Sequence, residues 1–189
     1  MMIRLKQLLY EMTDQELAQI GRNIESSRFR FVGQGDNGRV YKLNDEDLVF
    51  KITTSTDEIE VARKIQNKIT EYSTFIPVYY VGDLRGVTSV YEDVILMANA
   101  DKLPSALKRG IDRIVEKYNQ YSYEQGGEVS LFDFVNAAGL KRVDPIIMNF
   151  IKALQIDINK LGIPDLDLDL DFKSSNIMIW SGKMVMVDW

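Results

Sequence analysis

The chain contains no cysteine and no histidine. Those two absences exclude disulfide frameworks, thiol nucleophiles, structural zinc sites and any Ser-His-Asp or His-metal mechanism. Chemistry is left to carboxylates, amides, hydroxyls, lysine and arginine, with a hard, oxygen-seeking cation as the metal that suits such ligands. There are only four prolines, and no Pro-, Gly- or Ser-rich linker. No run approaches the ~18 apolar residues of a membrane span. The opening MMIRLKQLLYEM lacks the apolar core and small-residue cleavage site of a signal peptide. A cytoplasmic protein with no membrane partner is the expectation. Twenty-eight acidic residues against 23 basic ones give a net charge of −5, which weighs against nucleic acid as a partner.

What is present is the balance of a folded protein, with 46% hydrophobic and 27% charged residues in 189. That length allows one domain or two small lobes. Residues 2–25 have apolar residues at helical spacing, with a capping box at Thr13 to Glu16. Short β-rich runs follow at 29–33, 38–43 and 47–52, separated by turn clusters. A helix begins near residue 56, where Ser55 and Glu58 have capping-box spacing and Ala62, Ile65 and Ile69 form a stripe. Strands at 77–82 and 90–97 complete a five-stranded antiparallel sheet with one inserted helix. Beyond Met97 the pattern is mainly helical, over 105–123, 129–139 and 144–162. Asp144, Pro145 and Gly162 mark the ends of the last helix. Two short strands, 176–180 and 183–187, flank a Ser-Gly turn. The fold class is α+β, in segments 1–28 (helical extension), 29–98 (sheet-rich) and 99–189 (helix-rich).

Two constellations carry chemistry. Gly33, Gly35 and Gly38 form GxGxxG between two strands, where missing Cβ atoms let backbone N–H groups approach phosphate oxygens. The motif precedes no helix, so it is no dinucleotide fingerprint; taken alone it is a turn. Val40 follows it, and Lys51 lies on the next strand, within reach of such phosphates as a point charge. Alone, Lys51 is a solvated strand lysine. The second constellation is Asp171, Lys173 and Asn176, then a hairpin, then Asp188. The hairpin folds Asp188 back beside Asn176, so that their oxygens can share a divalent cation. Asp171 is then left to accept a proton from a hydroxyl, and Lys173 to neutralise a transferring phosphoryl group. Asp165, Asp167, Asp169 and Asp171 alternate with leucines; a second metal site is one reading of them, and the solvated face of a strand is the favoured one.

In this order, Gly-rich hairpin, strand Lys, helix Glu, fifth strand, long helix, Asp…Lys…Asn and a hairpin ending in Asp, residues 29–189 resemble the protein-kinase-like fold. The resemblance implies a five-stranded N-lobe and a truncated, mainly helical C-lobe. It implies ATP and Mg2+ as cofactors, with Lys51 on the phosphates and paired to a helix Glu. Glu58 lies on the inward face and is also the capping-box partner of Ser55, while Glu60 lies on a more polar face; both stay open. Asp171 resembles the catalytic-loop Asp, with Lys173 beside it. Asn176 and Asp188 resemble the magnesium ligands, and Met97 to Asn99 the adenine-contacting hinge.

The chain departs from that pattern. Asp169-Leu170 stands where the family has His-Arg, so control by a phosphorylated activation loop is not expected. Trp189 follows Asp188 and ends the chain, and a C-lobe without the later helices is expected. Val187-Asp188-Trp189 is more similar to the aminoglycoside and choline kinase group. The small layout resembles phage-encoded kinase-like proteins. The leading expectation is transfer of the γ-phosphoryl of Mg·ATP to a protein Ser/Thr hydroxyl. Its alternatives are a nucleotide-binding pseudokinase docking on a partner protein, and a small-molecule phosphotransferase. A homodimer, or a partner's surface, is the expected way for so short a chain to complete its cleft.

Overall fold

The computed structural model describes residues 29–35, 38–43, 47–83, 93–127, 129–138, 143–163 and 171–188. The helix expected over 2–25, strand residues 90–92 and Asp165, Asp167 and Asp169 lie outside the described residues. The fold is α+β and divides into two units. Described residues up to Lys68, with Pro77–Asn99, form the first; Ile69–Ile76 and the residues from Ala100 onward form the second.

The first unit is a sheet with one helix. Strands β1 (Phe29–Gln34), β2 (Gly38–Leu43) and β3 (Leu48–Thr53) precede helix α1 (Thr56–Ile65), and β4 (Val78–Asp83) and β5 (Asp93–Ala98) follow it. The five strands lie in the order β1-β2-β3-β5-β4, and every neighbouring pair is antiparallel. Residues opposite one another across such a pair share a face, and successive residues alternate. One face therefore collects Tyr41, Leu43, Leu48, Phe50, Ile52, Val94 and Leu96 in a buried cluster. Tyr41 stacks on Phe50 with ring centroids 5.1 Å apart. The other face receives Val40, Lys51 and Ile95 in one row, because Val40 pairs with Lys51 and Lys51 with Ile95. A slip of one residue would exchange the two faces.

Helix α1 starts where the sequence predicts and stops sooner. Ser55 caps it by accepting the Glu58 N–H at 3.3 Å. The expected stripe of Ala62, Ile65 and Ile69 holds for its first two members, which are buried. Ile69 lies past the helix and is 40% exposed. Gln66 leaves the helical conformation, and Asn67 adopts a positive φ of 60°, which asparagine tolerates better than most residues. Its N–H then bonds the Val78 carbonyl at 2.8 Å, so the turn is spent reaching β4 rather than extending the helix.

The second unit contains β6 (Asp101–Lys102), α2 (Ser105–Glu124), α3 (Leu131–Ala138) and α4 (Pro145–Leu161), then a 3-10 turn (Ser174–Asn176), β7 (Ile177–Trp180) and β8 (Lys183–Met186). The expected C-terminal hairpin forms, with Ser181 and Gly182 both at positive φ, as the tight turn of a two-residue hairpin requires. It gains a third strand, since β6 pairs with β7. Two residues are too few to show alternation, which is why β6 is silent in the sequence. Helix α4 is capped by Asp144, which accepts the Ile146 N–H at 2.8 Å, and ends at left-handed Gly162. It buries Ile147, Ile151, Leu154, Ile158 and Leu161. Among the described residues, no helix is long and apolar enough to cross a membrane.

One buried charge joins these elements. Asp157 on α4 is 2% exposed; its Oδ2 accepts from the Thr74 N–H at 3.0 Å and from the Thr74 hydroxyl at 2.9 Å. Lys160 donates to Oδ1 at 3.2 Å. The Thr74 carbonyl in turn takes the Met186 N–H at 2.7 Å, and the Ile76 N–H bonds the Met186 carbonyl at 2.9 Å. The end of β8 is thus registered against residues 74–76, which Asp157 holds.

Two predictions follow from the packing. Asp157→Ala leaves the Thr74 donors and Lys160 without their acceptor and is expected to lower stability by about 3 kcal/mol, read from the urea midpoint. A Cβ at Gly38 would lie 2.3 Å from the Ile52 carbonyl oxygen, whereas one at Gly33 would meet nothing within 4 Å. Gly38→Ala should therefore cost about 2 kcal/mol, and Gly33→Ala less than about 0.5 kcal/mol, in the same measurement.

Candidate functional site

In the first unit the site is built on β3. Lys51 (6% exposed) meets Glu58 (2% exposed), with Nζ 2.5 Å from Oε1. Isolated charges this deep are costly, so both are held ionised by each other. The second carboxylate oxygen, Oε2, accepts from the Thr53 hydroxyl at 2.7 Å. Thr53 Oγ1 in turn accepts the Ser55 N–H at 3.1 Å. The choice between two glutamates resolves geometrically: Glu58 faces Lys51, while Glu60 lies on the outside of α1 and pairs with Lys64 at 3.4 Å. Glu58 gives its backbone N–H to the Ser55 cap and its carboxylate to β3.

The glycines play different parts. Gly38 sits opposite Thr53, and the lack of a Cβ lets the Ile52 carbonyl and the Lys51 stem approach it. Gly35 closes the β1–β2 turn by donating to the Gly38 carbonyl at 2.9 Å. Gly33 and Gly35 have open space where a Cβ would stand.

Met97 is buried and pairs with Val49 and Val78; opposite Val49, it shares the Lys51 face. The Ala98 N–H bonds Pro77 at 3.0 Å. Asn99 is bound twice to Asp47, N–H to carbonyl at 3.0 Å and Nδ2 to Oδ1 at 2.9 Å. Its amide donors thus serve the β2–β3 turn. Burial, and after it the Asp47 carboxylate, push the Tyr79 hydroxyl above its ordinary value of 10, so Tyr79 is neutral at physiological pH.

In the second unit, Asp171, Lys173 and Asn176 lie on one loop. Asn176 is buried at the end of the 3-10 turn, where its N–H bonds the Lys173 carbonyl at 3.0 Å. Its Nδ2 donates to the Asp171 carbonyl at 3.1 Å and to Asp171 Oδ2 at 3.0 Å. Both partners are acceptors, which fixes the amide and leaves Oδ1 as the acceptor end; Ser175 Oγ donates to it at 3.2 Å. Lys173 Nζ pairs with Asp171 Oδ2. Among the described residues both contacts of the Asp171 carboxylate fall on Oδ2, and the side chain is half exposed. The Val187 N–H bonds the Asn176 carbonyl at 2.9 Å, so the hairpin pairs Asn176 with the residue before Asp188.

Asn176 Oδ1 and the Asp188 carboxylate are hard oxygen donors, which fits Mg2+ better than a softer metal. Among the described residues no cluster of three acidic ligands exists. Two protein oxygens are what Mg2+ takes when phosphates and water fill its other positions. Three contributors are not evident as site residues in the sequence. Thr53 has a signal, since alternation along β3 places it on the face of Lys51. Asp47 and Ser175 have none, because each acts through a turn.

The strand order and buried Lys–Glu pair of the first unit, and the Asp…Lys…Asn loop and hairpin of the second, are the features on which the resemblance to the protein-kinase-like fold rests. No family model and no curated protein matches the chain. Solved structures do. A thermostable mutant of aminoglycoside phosphotransferase APH(4)-Ia, in ternary complex with AMP-PNP and hygromycin B, is 15% identical with a TM-score of 0.43, over 94% of this chain and 71% of that one. Aminoglycoside phosphotransferase APH(4)-Ia is 14% identical with a TM-score of 0.41, over 92% and 69%. A second thermostable mutant in the same ternary complex is 16% identical with a TM-score of 0.42, over 94% and 71%.

Proposed function

We propose that the chain is an ATP-dependent phosphotransferase that moves the γ-phosphoryl group of Mg·ATP to a hydroxyl. The observation that carries this is the buried Lys51–Glu58 pair on the Gly38 face of the sheet. Replacing such a pair by apolar residues is often neutral or stabilising, so folding alone does not explain its presence. A lysine held ionised and aimed by a carboxylate is suited to phosphate oxygens.

In this reading Lys51 binds the ATP phosphates, and the open backbone at Gly33 and Gly35 admits them. Val40 and Met97 supply apolar surface for the base. Asn99 has its N–H on Asp47, so its role at the hinge is to brace that turn. Asn176 Oδ1 and Asp188 would hold Mg2+, which would neutralise phosphate charge when bound. Asp171 Oδ1 accepts the acceptor's proton as its oxygen bonds Pγ and the bond from Pγ to the β-phosphate oxygen breaks, releasing ADP. Lys173 screens the charge on Asp171 and on the phosphoryl group.

For the acceptor, a protein Ser or Thr hydroxyl is the first reading. A small-molecule hydroxyl is the second, favoured by the resemblance of Val187-Asp188-Trp189 to the aminoglycoside and choline kinase group; the APH(4)-Ia complexes contain the aminoglycoside hygromycin B. Transfer of labelled γ-phosphate from Mg·ATP in a cell lysate, with proteins and soluble metabolites separated before counting, distinguishes the two. Asp171→Ala is expected to lower transfer by about 10²- to 10⁴-fold while Mg·ATP still binds. Equal counts from wild type and variant in both fractions would reject phosphoryl transfer and favour a pseudokinase acting on a partner.

A further inference from the structure

The Thr53 hydroxyl is a group that the proposed chemistry does not use. It is buried, 1% exposed, and two residues from Lys51 on the same face of β3. It sits between two groups of opposite character. The Ser55 N–H donates to Oγ1 at 3.1 Å, and Oγ1 lies 2.7 Å from Glu58 Oε2. An ionised carboxylate only accepts, so the single hydroxyl proton must point at Glu58 while a lone pair takes the N–H.

This arrangement changes what Ser55 and Glu58 do. A reciprocal capping box would turn the Glu58 carboxylate back onto the Ser55 N–H. Here only the Ser55 half of the box is made, by the Glu58 N–H on Ser55 Oγ. Thr53 takes the Ser55 N–H, and the carboxylate turns to β3, with Oε1 on Lys51 and Oε2 on Thr53. A carboxylate held by one oxygen can rotate about its last torsion, which is broad and shallow; held by both, it cannot.

We infer that Thr53 is a positioning residue. Its hydroxyl diverts Glu58 from the helix cap and locks the carboxylate in the rotamer that aims Lys51 at the nucleotide phosphates. The inference rests on the nucleotide reading above, and it concerns binding rather than transfer. The same hydroxyl ties the first turn of α1 to β3, so helix position and lysine aim are set by one contact.

The test is a double-mutant cycle read by titration with a fluorescent ATP analogue in the presence of Mg2+, using the full chain. Valine matches threonine in shape, suits a strand and removes both hydrogen bonds. Thr53→Val is expected to weaken binding about tenfold, the scale of one hydrogen bond to a charged group. Thr53→Ser should stay within about twofold of wild type, because it keeps the hydroxyl. In a Glu58→Gln background, adding Thr53→Val should change binding less than about twofold, since the residue acts only through that carboxylate. Melting temperatures of all five proteins separate lost binding from lost fold. If Thr53→Val binds as wild type does, or Thr53→Ser falls with it, the positioning role is wrong. The same tenfold loss with Glu58→Gln already present would also overturn it, as would a wild type that binds no nucleotide. Label transfer in the same preparations judges the phosphotransferase reading separately: a wild type that binds but transfers nothing rejects that reading, and the cycle still decides Thr53.

Discussion

The first unit is organised around one ion pair buried where water cannot screen it. Lys51 and Glu58 are seven residues apart and belong to different elements. They meet only if β3 keeps its register and α1 begins immediately after it. Burying either charge alone would cost several kcal/mol, so the strand and the helix cannot shift independently without exposing one of them. Gly38 belongs to the same constraint. Its missing Cβ lets β2 approach β3 at Ile52 and Lys51, and a bulkier residue would press on the strand carrying the lysine. The opposite face of the sheet supplies the cohesion, through Tyr41, Phe50, Ile52 and Leu96. One face of a five-stranded sheet is thus committed to holding itself together. The other carries the ion pair among buried apolar residues, Ile95 and Met97.

In the second unit the organising group is again a buried carboxylate, used differently. Asp157 gathers donors from Thr74 and Lys160 and through Thr74 registers the last strand. Asp171, in contrast, is left half exposed, and among the described residues the contacts of its carboxylate fall on one oxygen. The contrast separates their roles. A fully satisfied buried carboxylate fixes backbone; a partly satisfied exposed one remains able to accept a proton. Asn176 is held from several sides. Its Nδ2 donates to Asp171 and its carbonyl accepts from Val187, so Oδ1, which takes the Ser175 hydroxyl, is oriented by bonds already made.

The sheet was legible because its signals are local and periodic. Alternation in GRVYKL and LVFKIT gives both faces, and turn clusters give the breaks. The same period, extended one step, places Thr53 beside Lys51. Helical periodicity put Glu58 on the inward face, though its cap spacing with Ser55 allowed another use. Sequence alone could not decide between them, because the answer depends on Thr53, a residue outside the helix. Ile69 failed for a similar reason: the stripe continues in sequence, but the Asn67 N–H has a better partner in Val78. Strand β6 was illegible because two residues carry no period, and its existence depends on β7, some 75 residues later. Asp47 shows the limit most clearly. Nothing near it marks it as a brace for Asn99, 52 residues away.

The composition then acquires a physical meaning. A chain without histidine or cysteine has no side chain that titrates near neutrality of its own accord and no thiolate or imidazole metal ligand. Reactions needing a poised imidazole or a thiolate are closed to it. Phosphoryl transfer is not, because its transition state asks mainly for fixed positive charge, in-line positioning and a weak proton acceptor. In the proposed reading Lys51, fixed by Glu58, supplies the first and the Asp171 carboxylate the last. On that reading no imidazole is needed.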